Sequence, residues 1–494
     1  FLESWRSGDY PTSFDSLHRY FDYTMQNRDR LFYQYALMNL AVLQADFCCF
    51  DEAVAAMLET VSTARENKDI ACLNFALDWL YHFGKIHPKI IAGIGSTNML
   101  GIEREGLSFL RIKAKETGMW TLWSSSLLGE GKLAIANGEG VAFVFEIITK
   151  SSQLIVEKNM KSMIGPQIAI HSSLWERLGI SQLFKQHCEV FLTYHAQYAV
   201  LEDILRFTSR IAYFVAGQGN YDKAIEIMGN LDSNSLRSRK TNHYWLKCSG
   251  MIRLKRSLHR DNLDDAAQLL NQLLQSNDED KEMDLSFELI MLHIDYLIRR
   301  TDYCQALAKI EEILTSIGED GNDINLRLTL LVLKALLYSK AGRTQKGFSI
   351  ALRAASIAWR ARILPTLWSA MGVIANILTS LSEFQASVQI LTAIFPRVLE
   401  YGNCSLNAQL YSFLADAYMG LAGQAGAENL GRKENLRQCF EYVQRALCEF
   451  SALEDIKGQR EMTAKLSVIT KVMHQPSLSK KFANAYLDLK KRSF

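Results

Sequence analysis

Two glycine-containing stretches of the sequence carry partial signatures of catalytic or nucleotide-binding loops. GIGSTN, beginning at Gly93, has the first two glycines of a dinucleotide-binding loop, but Asn98 stands where the third is needed. GFSIA, beginning at Gly347, partly matches the turn that holds a nucleophilic serine, but Ala351 replaces the second glycine and the stretch falls in a helical pattern. A phosphate-binding loop of the GxxxxGK[ST] type is absent from the sequence. We therefore expect neither nucleotide binding nor acyl transfer.

Residues that could bind a metal do not occur at metal-binding spacings. The 10 histidines include no HExxH and no histidine–cysteine cluster with zinc spacing. His187 and Cys188 are adjacent, so on a helix their side chains point about 100° apart and cannot easily share one metal. The acidic run DEDKEMD from Asp278 lacks the spaced ligands and the turn glycine of an EF-hand loop. The sequence thus predicts no catalytic residue, no metal and no cofactor.

The composition indicates a folded protein of a reducing compartment. The chain has 494 residues, and this length is more than one compact core usually organises. Hydrophobic residues make up 48% of it, as in a folded protein. Lys and Arg (55) nearly balance Asp and Glu (53), and the basic residues look scattered, so we expect no nucleic-acid partner. The 9 cysteines form no CxxC pair, which favours the nucleus and cytoplasm over secretion.

Two features of the sequence bear on targeting and membranes. The given residues do not begin with the pattern of a signal peptide, and the sequence opens at Phe1 without a methionine, so we expect that an upstream part is missing. Residues 363–382 carry no charge and are long enough to span a bilayer. They also contain Pro365 and Asn376 and fall at a regular repeat position, so we interpret them as a buried helix and expect no membrane contact.

The elements that position these residues repeat along the chain. Only 6 prolines and 28 glycines interrupt it, which favours long helices. Small or aliphatic residues recur 12 positions apart across a tight polar turn, where two antiparallel helices would cross closely. These pairs are Ala41 and Ala53, Ala212 and Ala224, Ile294 and Ala306, Ala335 and Gly347, and Ala375 and Ser387.

An anchor residue follows the turn, three positions before the second small residue. Its side chain, as in Tyr221, Tyr303 or Phe384, would cover the loop end of the helix pair. Most successive anchors are 40 to 42 residues apart, while one gap of 90 predicts a degenerate repeat near residue 95 and one of 52 predicts an insertion. The anchor positions are Tyr10, Phe50, Gly140, Ser181, Tyr221, Leu263, Tyr303, Thr344, Phe384 and Leu436.

This pattern predicts an all-α, right-handed superhelical solenoid of about eleven tetratricopeptide-like helix pairs with a period of about 40 residues. The period overlaps that of HEAT and armadillo repeats, but the spacing of the small residues and the turn anchor favour the tetratricopeptide type. An irregular α-helical domain is the alternative. We expect the solenoid over residues 1–458, with an irregular repeat at 83–106 and an insertion at 421–435, then capping helices and a basic tail over 459–494.

Residues 30–81 resemble the signature repeat of a known family, anaphase-promoting complex subunit 5. The resemblance rests on Asn39-Leu40-Ala41, the anchor Phe50, Glu52-Ala53, Cys72-Leu73 and Trp79-Leu80-Tyr81. SLHRYFDYTM from Ser16 resembles the helix before that signature, and LWERLG around Trp175 a later repeat start. In layout the resemblance covers the whole chain, but it is strong only over the first hundred residues, and the Gly-rich stretch 93–101 departs from it.

The resemblance implies a structural, non-catalytic role in a cullin-RING ubiquitin ligase of the cell cycle. A β-propeller subunit, the largest scaffold subunit and neighbouring tetratricopeptide subunits are the implied partners. Two other classes stay open. One is a tetratricopeptide sensor domain of a signalling or transcription-regulator protein, and the other is a peptide-binding co-chaperone, for which Tyr213, Leu336, Asn376 and Asp416 give no carboxylate-binding cluster.

Overall fold

The computed structural model describes the chain except for residues 27–29, 88–89, 91–102, 232–235, 237–238, 276–282, 318–322, 425–429 and 493–494. The described residues form 24 α-helices and no strand, which confirms the all-α prediction. The first twelve helices are α1 (Leu2–Ser7), α2 (Tyr10–Gln26), α3 (Arg30–Asp46), α4 (Phe50–Glu66), α5 (Ile70–Ile86), α6 (Glu103–Glu116), α7 (Trp120–Asn137), α8 (Val141–Glu157), α9 (Ile164–Arg177), α10 (Ser181–Val190), α11 (Leu201–Gly217) and α12 (Tyr221–Gly229).

The second half of the chain continues in the same way. Its helices are α13 (Arg239–His259), α14 (Leu263–Gln275), α15 (Met283–Arg299), α16 (Tyr303–Ile317), α17 (Ile324–Lys340), α18 (Thr344–Arg360), α19 (Leu364–Ser380), α20 (Phe384–Tyr401), α21 (Cys404–Gln424), α22 (Leu430–Ala452), α23 (Ile456–Val472) and α24 (Pro476–Arg492). A π-helical turn, Phe191–His195, extends α10. The described helices form twelve successive pairs, because the capping helices α23 and α24 add one to the eleven or so expected.

Local backbone chemistry explains where many of these helices begin. Asp69, Asp323 and Asp455 each precede a helix and accept hydrogen bonds from backbone N–H groups of its first turn. Such an N-cap satisfies donors that have no partner within the helix. These three aspartates therefore fix the starts of α5, α17 and α23.

The turn inside most pairs has one repeated geometry. A residue with positive φ lies two positions before the anchor, which begins the second helix or, at Gly140, immediately precedes it. This residue ends the first helix in a left-handed conformation. Only glycine adopts this conformation without steric cost. The residues concerned are Gly8, Cys48, Gly138, Gly179, Gly219, Asp261, Thr301, Gly342 and Ser382.

The core is a series of clusters between neighbouring helices. Ile294, Ile310 and Leu330, from three consecutive helices, are fully buried in one of these clusters. The next cluster repeats the arrangement from α17 to α19. Each pair therefore buries its apolar side chains against the pairs before and after it, as in other repeat arrays.

The three segments predicted to depart from the regular repeat are the irregular repeat, the insertion and the C-terminal capping helices. Most of the irregular repeat expected at 83–106 falls outside the described residues, between α5 and α6. The insertion expected at 421–435 extends two flanking helices: α21 runs to Gln424 and α22 begins at Leu430, six residues before the predicted anchor Leu436. Residues 459–494 contain most of α23 and all of the described part of α24.

The uncharged stretch 363–382 is one helix of the array. Its residues form α19, which begins with a proline in its first turn. Trp368, Ala370 and Ile374 on this helix are buried in core clusters. Among the described residues, the structure contains no helix that is long and apolar enough to cross a membrane.

Candidate functional site

The small residues predicted at helix crossings are buried. Gly347 lies against the preceding helix, where a Cβ would approach the carbonyl oxygen of Ala335 to 3.0 Å. The pair Ala415 and Cys439, 24 positions apart across the lengthened helices, is joined by a 3.2 Å contact from Cys439 Sγ to Ala415 O. Buried without exception are Ala41, Ala53, Ala212, Ala224, Ala306, Ala335, Gly347 and Ala375.

Eight of the ten predicted anchors occupy the first position of their helices, with different degrees of burial, whereas Gly140 precedes α8 and Leu436 lies inside α22. Phe50, Tyr303 and Phe384 are half-buried, and Phe384 lies under Gly420 of α21 so closely that no Cβ fits there. Tyr221 is almost completely buried, and its hydroxyl lies 2.8 Å from Nδ1 of His259. Tyr221 therefore connects the turn of its own pair to the end of α13.

Contacts between residues about five repeats apart were not predicted from the sequence. Arg177 Nη2 donates a 2.6 Å hydrogen bond to the carbonyl oxygen of Ala361, 184 positions later. Ser181 Oγ donates at 3.3 Å to the carbonyl oxygen of Glu400, 219 positions later. The solenoid winds so that the turns of its middle pairs touch pairs of the C-terminal third. We call this line of contacts the seam, and it comprises Gly138, Arg177, Gly179, Ser181, Gly219, Arg256, His259, Arg260 and Arg299 on one side and Ala361, Trp368, Glu400, Ala452, Leu453, Glu454 and Asp455 on the other.

Three glycines allow the two sides of the seam to approach each other. A Cβ at Gly138 would collide with Ile324, one at Gly179 with the Trp368 ring, and one at Gly219 with the carbonyl oxygen of Ala452. Each glycine also has a positive φ. The turn of α17 and α18 shows the contrast, because nothing lies within 4 Å of a Cβ at Gly342. The seam thus requires glycine for close approach as well as for conformation.

Arg256, Arg260 and Glu454 form the solvent-facing part of the seam. Arg256 donates to both carboxylate oxygens of Glu454, from Nε at 3.0 Å and from Nη2 at 2.9 Å. Arg260 Nε donates to the same carboxylate at 2.6 Å. The hydrogen bonds from Arg256 are the main reason that the pKa of Glu454 is lowered to about 2. Glu454 therefore remains a carboxylate throughout the physiological pH range.

Arg299 and Asp455 form a second, buried pair. Arg299 donates to Asp455 from Nη1 at 3.1 Å and from Nη2 at 3.2 Å, and both side chains are 11% exposed. Arg299 also bonds to Asp295 and to the carbonyl oxygen of Leu258. Burial alone would raise the pKa of Asp455, but the charge and hydrogen bonds of Arg299 outweigh it, so the pKa lies below its ordinary value.

His259 lies between these two ion pairs. Its Nδ1 is 3.0 Å from the carbonyl oxygen of Leu453, which can only accept, and 2.8 Å from the hydroxyl of Tyr221, which can donate or accept. Burial, and then the positive charge of Arg299, lower the pKa of His259 to about 4. The imidazole is therefore neutral at pH 7 and has a structural role between Tyr221 and Leu453.

The residues considered above for chemistry are not brought together. Gly93 and most of the acidic run from Asp278 lie outside the described residues. GFSIA falls inside α18, where Ser349 Oγ donates to the carbonyl oxygen of Lys346. His187 Nδ1 bonds to the carbonyl oxygen of Leu183, and Cys188 is buried. The described part of the chain contains no group of three His, Cys, Asp or Glu residues that could hold a metal ion.

The signal that could have revealed the seam is present in the sequence. Gly138, Gly179 and Gly219 are 41 and 40 residues apart at one repeat position, whereas the next two repeats have Asp261 and Thr301 there. A run of three glycines at one repeat position is a signal for close packing there, although Gly342 occupies the same position with no atom within 4 Å of a Cβ. Arg256, Arg299, Glu454 and Asp455 carry no comparable signal.

The described residues thus form a helical-repeat protein, a solenoid of tetratricopeptide-like helix pairs. The family model of anaphase-promoting complex subunit 5 matches residues 1–87. Subunit 5 of this complex from Schizosaccharomyces pombe is 29% identical over 340 residues, or 69% of this chain and 44% of the relative. The subunit 5 of Homo sapiens is 22% identical over 341 residues, or 63% of this chain and 42% of the relative. The chain is therefore similar to anaphase-promoting complex subunit 5, which confirms the resemblance of residues 30–81, and it spans less than half the length of these relatives.

Two solved structures show a more distant similarity. The Cut9–Hcn1 hetero-tetramer of the anaphase-promoting complex has a TM-score of 0.43 and 10% identity, covering 99% of this chain and 96% of that one. A Rap protein complexed with competence and sporulation factor has a TM-score of 0.48 and 10% identity, covering 75% of this chain and 98% of that one.

Proposed function

We propose that this chain is a non-catalytic scaffold of the anaphase-promoting complex, a multi-subunit cullin-RING ubiquitin ligase of the cell cycle. The proposal rests on the match over 340 residues to a subunit 5. In this role the chain holds other subunits in position and contributes no reacting group. It acts in the nucleus and cytoplasm, where the complex works.

The proposed partners are the β-propeller subunit, the largest scaffold subunit and neighbouring tetratricopeptide subunits. A solenoid offers long surfaces that can bind several large partners at once. Contacts along the seam support this role, because they tie distant repeats together and make the array stiffer than a chain of neighbours alone. A stiff array keeps its bound subunits at fixed distances.

Co-expression of the full-length protein with the propeller subunit and the largest scaffold subunit tests the proposal. We expect one complex on size exclusion, and loss of partners when the repeats are deleted. The isolated protein should neither conjugate ubiquitin nor hydrolyse nucleotide. Absence of both partners from the purified protein would show that the proposal is wrong.

The sensor alternative makes a different prediction for the isolated protein. A small effector that binds the folded state would raise its melting temperature by mass action. This alternative is not favoured, because the relatives are subunits of the anaphase-promoting complex. A thermal-shift screen against nucleotides and metabolites separates the two functions.

A further inference from the structure

The surface of α18 is strongly basic, and its charged side chains have no ion-pair partner in the part of the chain that the structure describes. Residues 324–399 contain nine Lys and Arg residues and one carboxylate, Glu383, although the whole chain has a net charge of only +2. Five of the nine lie on or beside α18, a helix without an acidic residue, and all five are exposed. Within the described residues, none of them has a carboxylate at ion-pair distance. They are Arg343, Lys346, Arg353, Arg360 and Arg362.

The carboxylates of α16, the corresponding helix of the preceding pair, already form ion pairs with other lysines. Glu311 of α16 pairs with Lys334 at 2.8 Å, and Glu312 pairs with Lys309 at 3.0 Å. The positive charge on α18 is therefore not neutralised from that side. An unbalanced surface of this kind attracts an acidic partner.

A stripe of exposed residues runs along the same helix. Its members are three or four positions apart, and the apolar ones are exposed, Leu352 at 53% and Trp359 at 55%. The buried side of α18 is formed by other residues, among them Ala351, Ala354 and Ala358. The stripe consists of Gln345, Ser349, Leu352, Ser356 and Trp359.

The stripe and the charges together have the geometry of a helix–helix contact. Spacing of three and four residues is what one helix presents to another at a shallow crossing angle. Ser349 and Ser356 are small enough to let a second helix approach, while Leu352 and Trp359 supply apolar anchors. Basic residues follow the stripe at intervals of seven, at Lys346, Arg353 and Arg360, and so line one edge of it. We propose that this face of α18 is a docking surface for an acidic amphipathic helix of a partner protein.

The stripe favours a protein partner over a nucleic acid. A phosphate backbone would bind to the arginines and lysines alone and would make no specific contact with a leucine and two serines at helical spacing. The Trp359 ring is also covered by the guanidinium of Arg362, 4.3 Å from its centre, which competes with base stacking. An apolar side chain of a partner helix can instead pack against the exposed ring edge and Leu352.

The surface can be tested with the full chain and a designed probe. The probe is a fluorescein-labelled, helix-stabilised peptide of about 20 residues, with Leu and Ala at three- and four-residue spacing and Glu along one flank. The binding variant is Arg353→Glu/Arg360→Glu. The matched control is Lys480→Glu/Lys481→Glu on α24, which changes the net charge equally at two other exposed positions.

We expect the Arg353→Glu/Arg360→Glu variant to bind the peptide at least about tenfold more weakly in fluorescence anisotropy, and the control within about twofold of wild type. A peptide with Lys in place of Glu should bind the Arg353→Glu/Arg360→Glu variant more tightly than it binds wild type, because both charges are then exchanged. All four positions are exposed, so melting curves should stay close to that of wild type.

The inference would be overturned if the acidic peptide did not bind the wild type, or if both variants bound it equally weakly. It would also be overturned if single-stranded DNA displaced the peptide and the Arg353→Glu/Arg360→Glu variant bound that DNA more weakly than wild type. The inference depends on the proposed scaffold role only in assuming a protein partner. Because this assay needs no other subunit, its failure is distinguishable from a failure of co-purification.

Discussion

Arg256 and Glu454 are 198 positions apart in the sequence, yet two hydrogen bonds of 3.0 Å and 2.9 Å join their side chains. Repeat packing between neighbours cannot account for such a contact. It exists because the solenoid winds back onto itself along the seam. The seam therefore adds a long-range constraint to an otherwise local architecture.

Substituting Gly219 with alanine should destabilise the protein more than the same change at Gly342. Both glycines have a positive φ, which costs an alanine about 1–2 kcal/mol. At Gly219 the Cβ also collides with the carbonyl oxygen of Ala452, and we expect about 1–3 kcal/mol more. Chemical denaturation of the two variants measures the difference. Equal losses of stability would mean that the seam is not closed in solution.

Arg299→Met should cost about 3–5 kcal/mol, because it leaves the Asp455 carboxylate buried without its cation. The double variant Arg299→Met/Asp455→Asn should recover much of this loss. The introduced asparagine would be neutral and could still cap α23 through the N–H of Gly458. The free energies of unfolding of the single and double variants test this. An unchanged stability in the single variant would contradict the buried ion pair.

Stability should fall as the pH is lowered from about 6.5 to about 4, partly through His259. The unfolded chain binds a proton at this histidine near pH 6.5, whereas in the folded protein its pKa is about 4. The unfolded state therefore holds more protons in this window and gains stability there. Below about pH 4.5 Glu454 adds to the effect, because the unfolded chain binds a proton there while the folded carboxylate, with a pKa of about 2, does not.

His259→Asn isolates the histidine contribution to this pH dependence. The asparagine amide can donate to the carbonyl oxygen of Leu453 but does not titrate. Between pH 6.5 and 5 the variant should show a shallower decrease in melting temperature than wild type. Parallel curves would show that His259 titrates normally in the folded protein.

Ala224→Leu should destabilise the protein by about 1–3 kcal/mol through overpacking. Ala224 is fully buried where α11 and α12 cross. Ala393→Leu is the matched control, because Ala393 is exposed on α20. Circular-dichroism melts compare the two. If Ala224→Leu melts like its control, the predicted crossing register is wrong.

The repeat architecture could be predicted from the amino-acid sequence, because the interactions that define it are local. A turn of fixed length, an anchor and two small residues 12 positions apart lie within one helix pair, so the spacing records them directly. Tyr221, Leu263, Tyr303, Thr344 and Phe384 begin helices in the structure, as the period predicts. The lengthened pair α21 and α22 departs from the period, and its helix start at Leu430 could not be read from a spacing of 40.

Which distant residues meet could not be predicted from the sequence, because it depends on how the whole array winds. The small rotation from one pair to the next accumulates over about five repeats, and its sum sets whether Arg299 reaches Asp455 or remains in solvent. The spacing of residues in one sequence does not reveal the angle of rotation between successive helix pairs. The basic face of α18 was not predicted for a related reason. Its charged residues are spread along the sequence, and only the helical spacing places Lys346, Arg353 and Arg360 on one edge of the helix.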